Sequence, residues 1–169
     1  YSKEFHWIKK IDRKDEGFRK TGGKVIEAFY EGYRNIAPDD WKFIVKLDGD
    51  LSFDQDYFEK LIGKFLADDR LGIASGIYFE LDKACTLRQV RMPFYHAAGA
   101  CKMVRRRCYE EIGGFVAAAG WDTVDEIRAM ARGWKTRHFE DLQMKHHKPE
   151  GSGLSLIHIS EPTRPLYIS

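Results

Sequence analysis

Cysteine is scarce in this chain: Cys85, Cys101 and Cys108 are three among 169 residues, an odd number without a Cys-x-x-Cys pair. That excludes a disulfide framework and a cysteine-held zinc as organising elements, and it favours a reducing compartment. No apolar run approaches the roughly 18 residues that a membrane-spanning helix needs, and no signal-peptide pattern opens the chain. An excess of one charge is also missing. With 28 basic and 26 acidic residues the net charge is +2, so the whole chain carries no electrostatic footprint for nucleic acid. There is no internal repeat, no low-complexity tract and no recognisable glycine-rich phosphate loop. What is present is globular in kind, 43% hydrophobic and 14% aromatic, enough for one domain and too little to promise two.

Residues 154–169 stand apart. The stretch Leu154-Ser155-Leu156-Ile157-His158-Ile159-Ser160-Glu161-Pro162-Thr163-Arg164 resembles the translated read-through of a transposase adapter used in preparing sequencing libraries. Such a scar carries no selected structure, so the expected domain is 1–153 with a non-native tail at 154–169. The chain opens on Tyr1 in mid-pattern, and the expectation is of a domain cut at both ends.

Periodicity gives a coarse plan. Residues 11–23 are polar and glycine-containing, a loop. Val25, Ile26, Phe29, Tyr30 and Tyr33 fall at helical spacing, and 41–47 is strand-like, rich in aromatic and β-branched residues. Asp54 or Asp56 can cap a second helix with Phe58, Leu61, Ile62, Phe65 and Leu66 on its apolar stripe. A strand over 71–79, a long mixed connection, a short helix over 108–112, a helix over 122–132 with Val124, Ile127, Met130 and Ala131 at buried spacing, and a strand over 135–145 complete the pass. Helix and strand alternate, which predicts βαβ units around a mostly parallel sheet.

The most informative run is Lys46-Leu47-Asp48-Gly49-Asp50, in which the apolar stretch Phe43-Ile44-Val45 ends in two carboxylates separated by one small residue. A strand leaving the core delivers its last side chains to the carboxyl edge of the sheet, the usual ligand crevice of open α/β folds. Mg²⁺ and Mn²⁺ accept few protein carboxylates and take their remaining ligands from water and phosphate oxygens, so Asp48 and Asp50 fit a metal-nucleotide site.

Four features then occur in fixed order. They are Gly22-Gly23-Lys24 at a helix start; Lys46-Leu47-Asp48-Gly49-Asp50-Leu51; Gly99 followed by Arg105-Arg106 and Glu111-Ile112-Gly113-Gly114-Phe115; and Gly120-Trp121-Asp122 leading to Gly133-Trp134. In this order and spacing the chain resembles an inverting family 2 glycosyltransferase of the GT-A fold, a resemblance that covers nearly all of residues 11–150. It implies an α/β, Rossmann-like, mostly parallel sheet flanked by helices, here without its N-terminal strands, and hence an isolated fragment that is unstable and inactive.

The resemblance also implies roles. Asp48 and Asp50 would hold Mg²⁺ or Mn²⁺ on the diphosphate of a nucleotide-sugar donor, with His146, or alternatively His147, completing the ligand set. Lys24, Arg105 and Arg106 would bind the donor or its phosphates. Asp122 would be the general base that deprotonates an acceptor hydroxyl, with Asp125 in reserve because Trp121 stands where the family often has glutamate. Asp122 equally suits a helix N-cap, and Trp121 is either a stacking platform for the acceptor sugar or core. The acceptor would be a glycan, a polysaccharide or a lipid-linked molecule. No nucleic acid partner is expected. The implied location is the cytoplasm or the cytoplasmic face of a membrane, with room for membrane association of a longer parent.

Two other readings compete. A nucleotidyltransferase also needs carboxylates, metal and nucleotide. Asp48, Asp50, Ser52, Asp54, Asp56 and Glu59 match the ligand spacing of a calcium-binding EF-hand loop, although Phe53 stands where that loop needs glycine.

Overall fold

A computed structural model describes residues 4, 5, 7–12, 23–36, 41–81 and 86–147. The tail at 154–169, residues 13–22 of the loop expected over 11–23, and Cys85 lie outside the described residues; Gly23, at the end of that expected loop, is already the first residue of a helix.

The elements follow in the order α1 (Gly23–Tyr33), β1 (Phe43–Leu47), β2 (Leu51–Phe53), α2 (Tyr57–Ala67), β3 (Leu71–Leu81), β4 (Leu87–Gln89), β5 (Cys101–Arg105), α3 (Arg106–Ile112), α4 (Trp121–Ala131) and β6 (Lys135–His146). Among the described residues six strands form one sheet in the order β1-β5-β3-β6-β2, with β4 hairpinned onto β3. The sheet is mixed, which corrects the mostly parallel expectation: β3 and β6 run parallel, while the other described pairings are antiparallel. The reason is three strands hidden in stretches read as turn or connection. β2, β4 and β5 each reverse direction beside a longer strand, and β5 separates β1 from β3.

Each face of the sheet is covered. Ile73 and Val104 pack with Ile26, Cys108, Trp121 and Trp134 beneath α1, α3 and α4. Their neighbours Ala74 and Met103 turn to the opposite face and meet Tyr57, Leu61 and Phe65 of α2. This alternation is the pleat at work. It explains why Leu71 to Tyr78 are buried without interruption, as a strand covered on both faces must be.

Two helices depart from their expected faces. Leu66, placed on the α2 stripe by spacing, is exposed, and so are Ile127 and Met130 of α4. α4 instead buries Trp121, Asp125, Glu126 and Ala129. A charged pair faces inward because Lys102 of β5 waits beneath it.

Candidate active site

β1 ends where the chain turns outward, and the Asp48 amide donates to the Ala100 carbonyl at 2.8 Å. Ile44 and Lys46 share the inward face of β1, so the Lys46 side chain is held inside. Its ammonium lies 2.6 Å from Asp48 Oδ1 and 2.9 Å from the Gly99 carbonyl, with the Trp121 ring 5.5 Å away. Asp48 is thereby tied to the strap at residues 97–100.

Asp50 is placed by the next strand. β2 pairs with β6 so that Leu51 faces His146, and the His147 amide donates to the Asp50 carbonyl at 2.9 Å. His146 Nε2 stands 3.4 Å from Asp50 Oδ1. On the other side of its ring, His146 Nδ1 is 3.1 Å from Glu80 Oε1, Glu80 being its register partner on β3. His147, the residue just past the end of β6, instead places its Nε2 3.1 Å from Ser52 Oγ.

Asp122 lies in the first turn of α4, and Gly99 is what admits it. A Cβ on Gly99 would stand 2.9 Å from Asp122 Oδ2 and 3.4 Å from Trp121 Cζ2. Asp122, His146, His96 and Tyr78 line a small cavity of about 50 Å³ together with the strap. Beside it, a wider groove of about 730 Å³ runs between α1 and β1, walled by Val25, Phe29, Tyr33 and Ile44, with Lys46 and Asp48 at its lining. Four residues expected in the site, Asp48, Asp50, Asp122 and His146, are therefore gathered at one end of the sheet. Lys24 sits half-buried in the first turn of α1, one residue before the groove-lining Val25.

Beneath the site is a buried ionic network. Lys102, with no exposed surface, places its ammonium 3.0 Å from Asp125 Oδ1 and 3.0 Å from Glu126 Oε1, and also donates to the Asp122 carbonyl. Glu126 Oε1 accepts from the Ala97 amide at 2.7 Å, and its Oε2 is 2.9 Å from His96 Nδ1. The Glu126 hydrogen bond is the main cause of a raised His96 pKa. Burial pushes the Asp125 carboxyl up to about 6, against the opposing pull of Lys102.

Other expected site residues are placed elsewhere. Asp125, named in reserve as a base, is 1% exposed and engaged by Lys102, so it faces no open cavity. Trp121, offered as an acceptor platform, is 6% exposed and packs edge-on to Phe115 between the Lys46 and Lys102 ammonium groups. Arg105 and Arg106 leave β5 at the end opposite the site, since Arg105 pairs with Phe43 while Cys101 pairs with Leu47. Arg105 donates to the carbonyls of Leu71, Phe65 and Asp68, closing the C-terminal end of α2. Arg106 lies over Trp41 and pairs with Glu110. Both arginines serve packing there.

The motifs give no role to Lys46, Glu80, His96, Lys102 or Glu126. One signal was available for Lys46: strand alternation puts it on the same face as the apolar Ile44. The EF-hand spacing of residues 48–59 does not give that motif's geometry, because the segment passes from a turn through β2 into α2 and is preceded by the strand β1.

The arrangement is a mixed α/β domain, one sheet covered by helices on both faces, with four acidic or imidazole side chains gathered at one of its ends. No family model matches the chain, and no curated protein matches it by sequence. Among solved structures it is similar in fold to the mannosyltransferase PcManGT from Pyrobaculum calidifontis, described in complex with GDP-Man and Mn²⁺, with a TM-score of 0.56 at 15% identity over 82% of this chain. The match covers 39% of that chain, so the present sequence spans well under half of its neighbour's length. At that identity the likeness is one of fold.

Proposed function

We propose that this chain is the core of a metal-dependent, inverting glycosyltransferase of the family 2, GT-A type, which moves a sugar from a nucleotide-sugar donor to a hydroxyl of a glycan, polysaccharide or lipid-linked acceptor. The observation that carries the reading is the convergence of Asp48, Asp50, Asp122 and His146 at one sheet end, beside a groove of nucleotide-compatible size.

The donor set suits the ion. Carboxylate oxygens and an imidazole match Mn²⁺, and carboxylates match Mg²⁺. Asp50 and His146 would hold it, with Asp48 alongside. Among the described residues no group of three or more such side chains surrounds one point, so water and donor phosphates would supply the remaining ligands. When bound, the ion supplies Lewis-acid neutralisation of the departing diphosphate.

The chain's own residues do the rest. The apolar and aromatic wall of Phe29 and Tyr33 would pack the donor's base, while Lys46 holds Asp48 at the groove. Asp122 would accept the proton of the acceptor hydroxyl as that oxygen attacks the anomeric carbon from the face away from the diphosphate. Lys102, bonded to the Asp122 carbonyl, fixes the backbone from which that carboxylate projects. The location that suits a nucleotide-sugar enzyme is the cytoplasm or the cytoplasmic face of a membrane.

The test is calorimetric binding of a panel of nucleotide sugars with and without Mn²⁺, in wild type and Asp50→Ala. Metal-dependent binding of one donor, abolished by the substitution, is the expected result. Ca²⁺ binding without nucleotide binding, or nucleotide-triphosphate turnover to a nucleotidyl product, would remove the reading.

A further inference from the structure

His146 lies in a row of three side chains, between Glu80 of β3 and Asp50 of the turn that leads into β2. β3, β6 and β2 are neighbours in the sheet, Glu80 and Leu51 are the register partners of His146 on either side, and Asp50 immediately precedes Leu51. The result is Glu80 Oε1 at 3.1 Å from Nδ1 and Asp50 Oδ1 at 3.4 Å from Nε2. The ring is largely buried, and Tyr78 stands edge-on to it at 6.2 Å, which restricts its rotation.

We infer that Glu80 is the positioning residue of the cation site, accepting the Nδ1 proton of His146 and so directing the Nε2 lone pair at Asp50 as one half of a two-point ligand for a divalent cation. The inference rests on the metal-dependent reading above and names a residue that reading does not use. A neutral imidazole donates from one nitrogen and accepts at the other. In the neutral ring an acidic acceptor at Nδ1 selects the Nδ1–H tautomer and leaves the lone pair on Nε2, which faces the Asp50 carboxylate. Two electron-pair donors set face to face at 3.4 Å are stabilised by a cation between them. Glu80 is on the far side of the ring and cannot bind the same ion through that contact. Its effect is on orientation and basicity, the role carboxylates commonly take behind a metal-ligating histidine, where their loss weakens metal binding by about 10- to 100-fold.

Neither the sheet nor the fold alone requires this. The ladder between β3 and β6 is made by backbone groups, and an apolar residue at 80 would maintain it. Glu80 is thus separable from structure by experiment.

The probe is Mn²⁺ alone, with free ion measured by electron paramagnetic resonance on the 169-residue chain, together with ¹H–¹⁵N spectra of the His146 imidazole in the metal-free protein. Wild type should bind Mn²⁺ and show the Nδ1–H tautomer. Glu80→Ala should lose that tautomer preference and bind Mn²⁺ at least 10-fold more weakly. Glu80→Gln, whose amide oxygen still accepts from Nδ1–H, should keep the tautomer and recover most of the affinity. Wild-type affinity and an unchanged tautomer in Glu80→Ala, with His146→Ala losing the ion, would overturn the inference while leaving the metal reading intact. Absence of Mn²⁺ binding in wild type would overturn both. Should Glu80→Ala fail to fold, the Glu80→Gln spectrum decides: loss of the Nδ1–H tautomer there also overturns the inference.

Discussion

Lys46 and Asp48, two residues apart at the end of β1, are joined by an ammonium-carboxylate contact of 2.6 Å, and the same ammonium reaches the Gly99 carbonyl at 2.9 Å. A strand end is thus fastened to the strap that underlies Asp122. Lys46→Met keeps most of the stem and removes both contacts. About a third of the Asp48 side chain stays in water, so the abandoned carboxylate is partly solvated and the loss should be about 1–2 kcal/mol, less than for a fully buried pair. Urea denaturation measures it; a midpoint equal to wild type would show that the tether carries no stability.

The Lys102 network should behave differently, because no water reaches it. Lys102→Met leaves Asp125 and Glu126 as adjacent buried carboxylates without their cation, and breaking such a pair from one side costs about 3–5 kcal/mol. Adding Asp125→Asn and Glu126→Gln to Lys102→Met should restore a large part of the loss, since the uncompensated charges are then gone. Non-additivity between the single and triple variants in chemical denaturation is the diagnostic.

The same network predicts an unusual pH dependence. Asp125 titrates near 6 when folded against 3.8 as its ordinary value, and His96 titrates above its ordinary 6.5. A group whose pKa is raised by folding contributes stability that is complete below the unfolded pKa and lost as pH rises through the folded one. For Asp125 that window is about pH 4 to 6; for His96 it opens at 6.5 and extends upward. The melting temperature should therefore rise as pH is lowered from 8 towards 5. Asp125→Asn should flatten the lower part of that curve and His96→Gln the upper part. A profile of wild type that falls steadily with acidification over this range would contradict both assignments.

Much of the architecture was legible because it rests on period and punctuation. α1, α2, β1, β3, α4 and β6 all lie within two residues or so of where apolar spacing and glycine stops place them. The reversing strands were not legible. β2 and β4 are three residues each, and the five residues of β5 include Lys102 and Arg105, so none presents a hydrophobic run to read. The site divides along the same line. Asp48, Asp50, Asp122 and His146 stand at element ends, where sequence order predicts that side chains emerge. The resemblance makes Arg105 and Arg106 binders of the donor or its phosphates, yet strand direction sends them to the opposite end of β5. α4 is inverted for a reason that no local pattern holds: the partner of its charged face, Lys102, is 20 or more residues away in sequence.

Glycine substitutions separate what holds the sheet from what holds the site. At Gly76, a Cβ would fall on the Leu142 carbonyl of the paired strand, at the irregular step of the β3–β6 ladder. Backbone on both sides leaves nothing to move, so Gly76→Ala should prevent stable folding. Gly63 lies inside α2 with nothing near its missing Cβ, and Gly63→Ala should stabilise by about 0.5–1 kcal/mol through helix propensity. Gly99 is the intermediate case. Its Cβ would meet the Asp122 carboxylate at 2.9 Å, a side-chain end that can swing away, so Gly99→Ala should fold with a modest loss of stability while displacing the proposed base. The expected signature is unaltered Mn²⁺-dependent donor binding with at least a 10-fold slower hydrolysis of the bound nucleotide sugar by water, a reaction that needs the base but no identified acceptor. Equal losses in donor binding and hydrolysis would mean that the strap positions Asp48 through Lys46 more than it positions Asp122. No loss in either would place the reacting hydroxyl elsewhere in the groove.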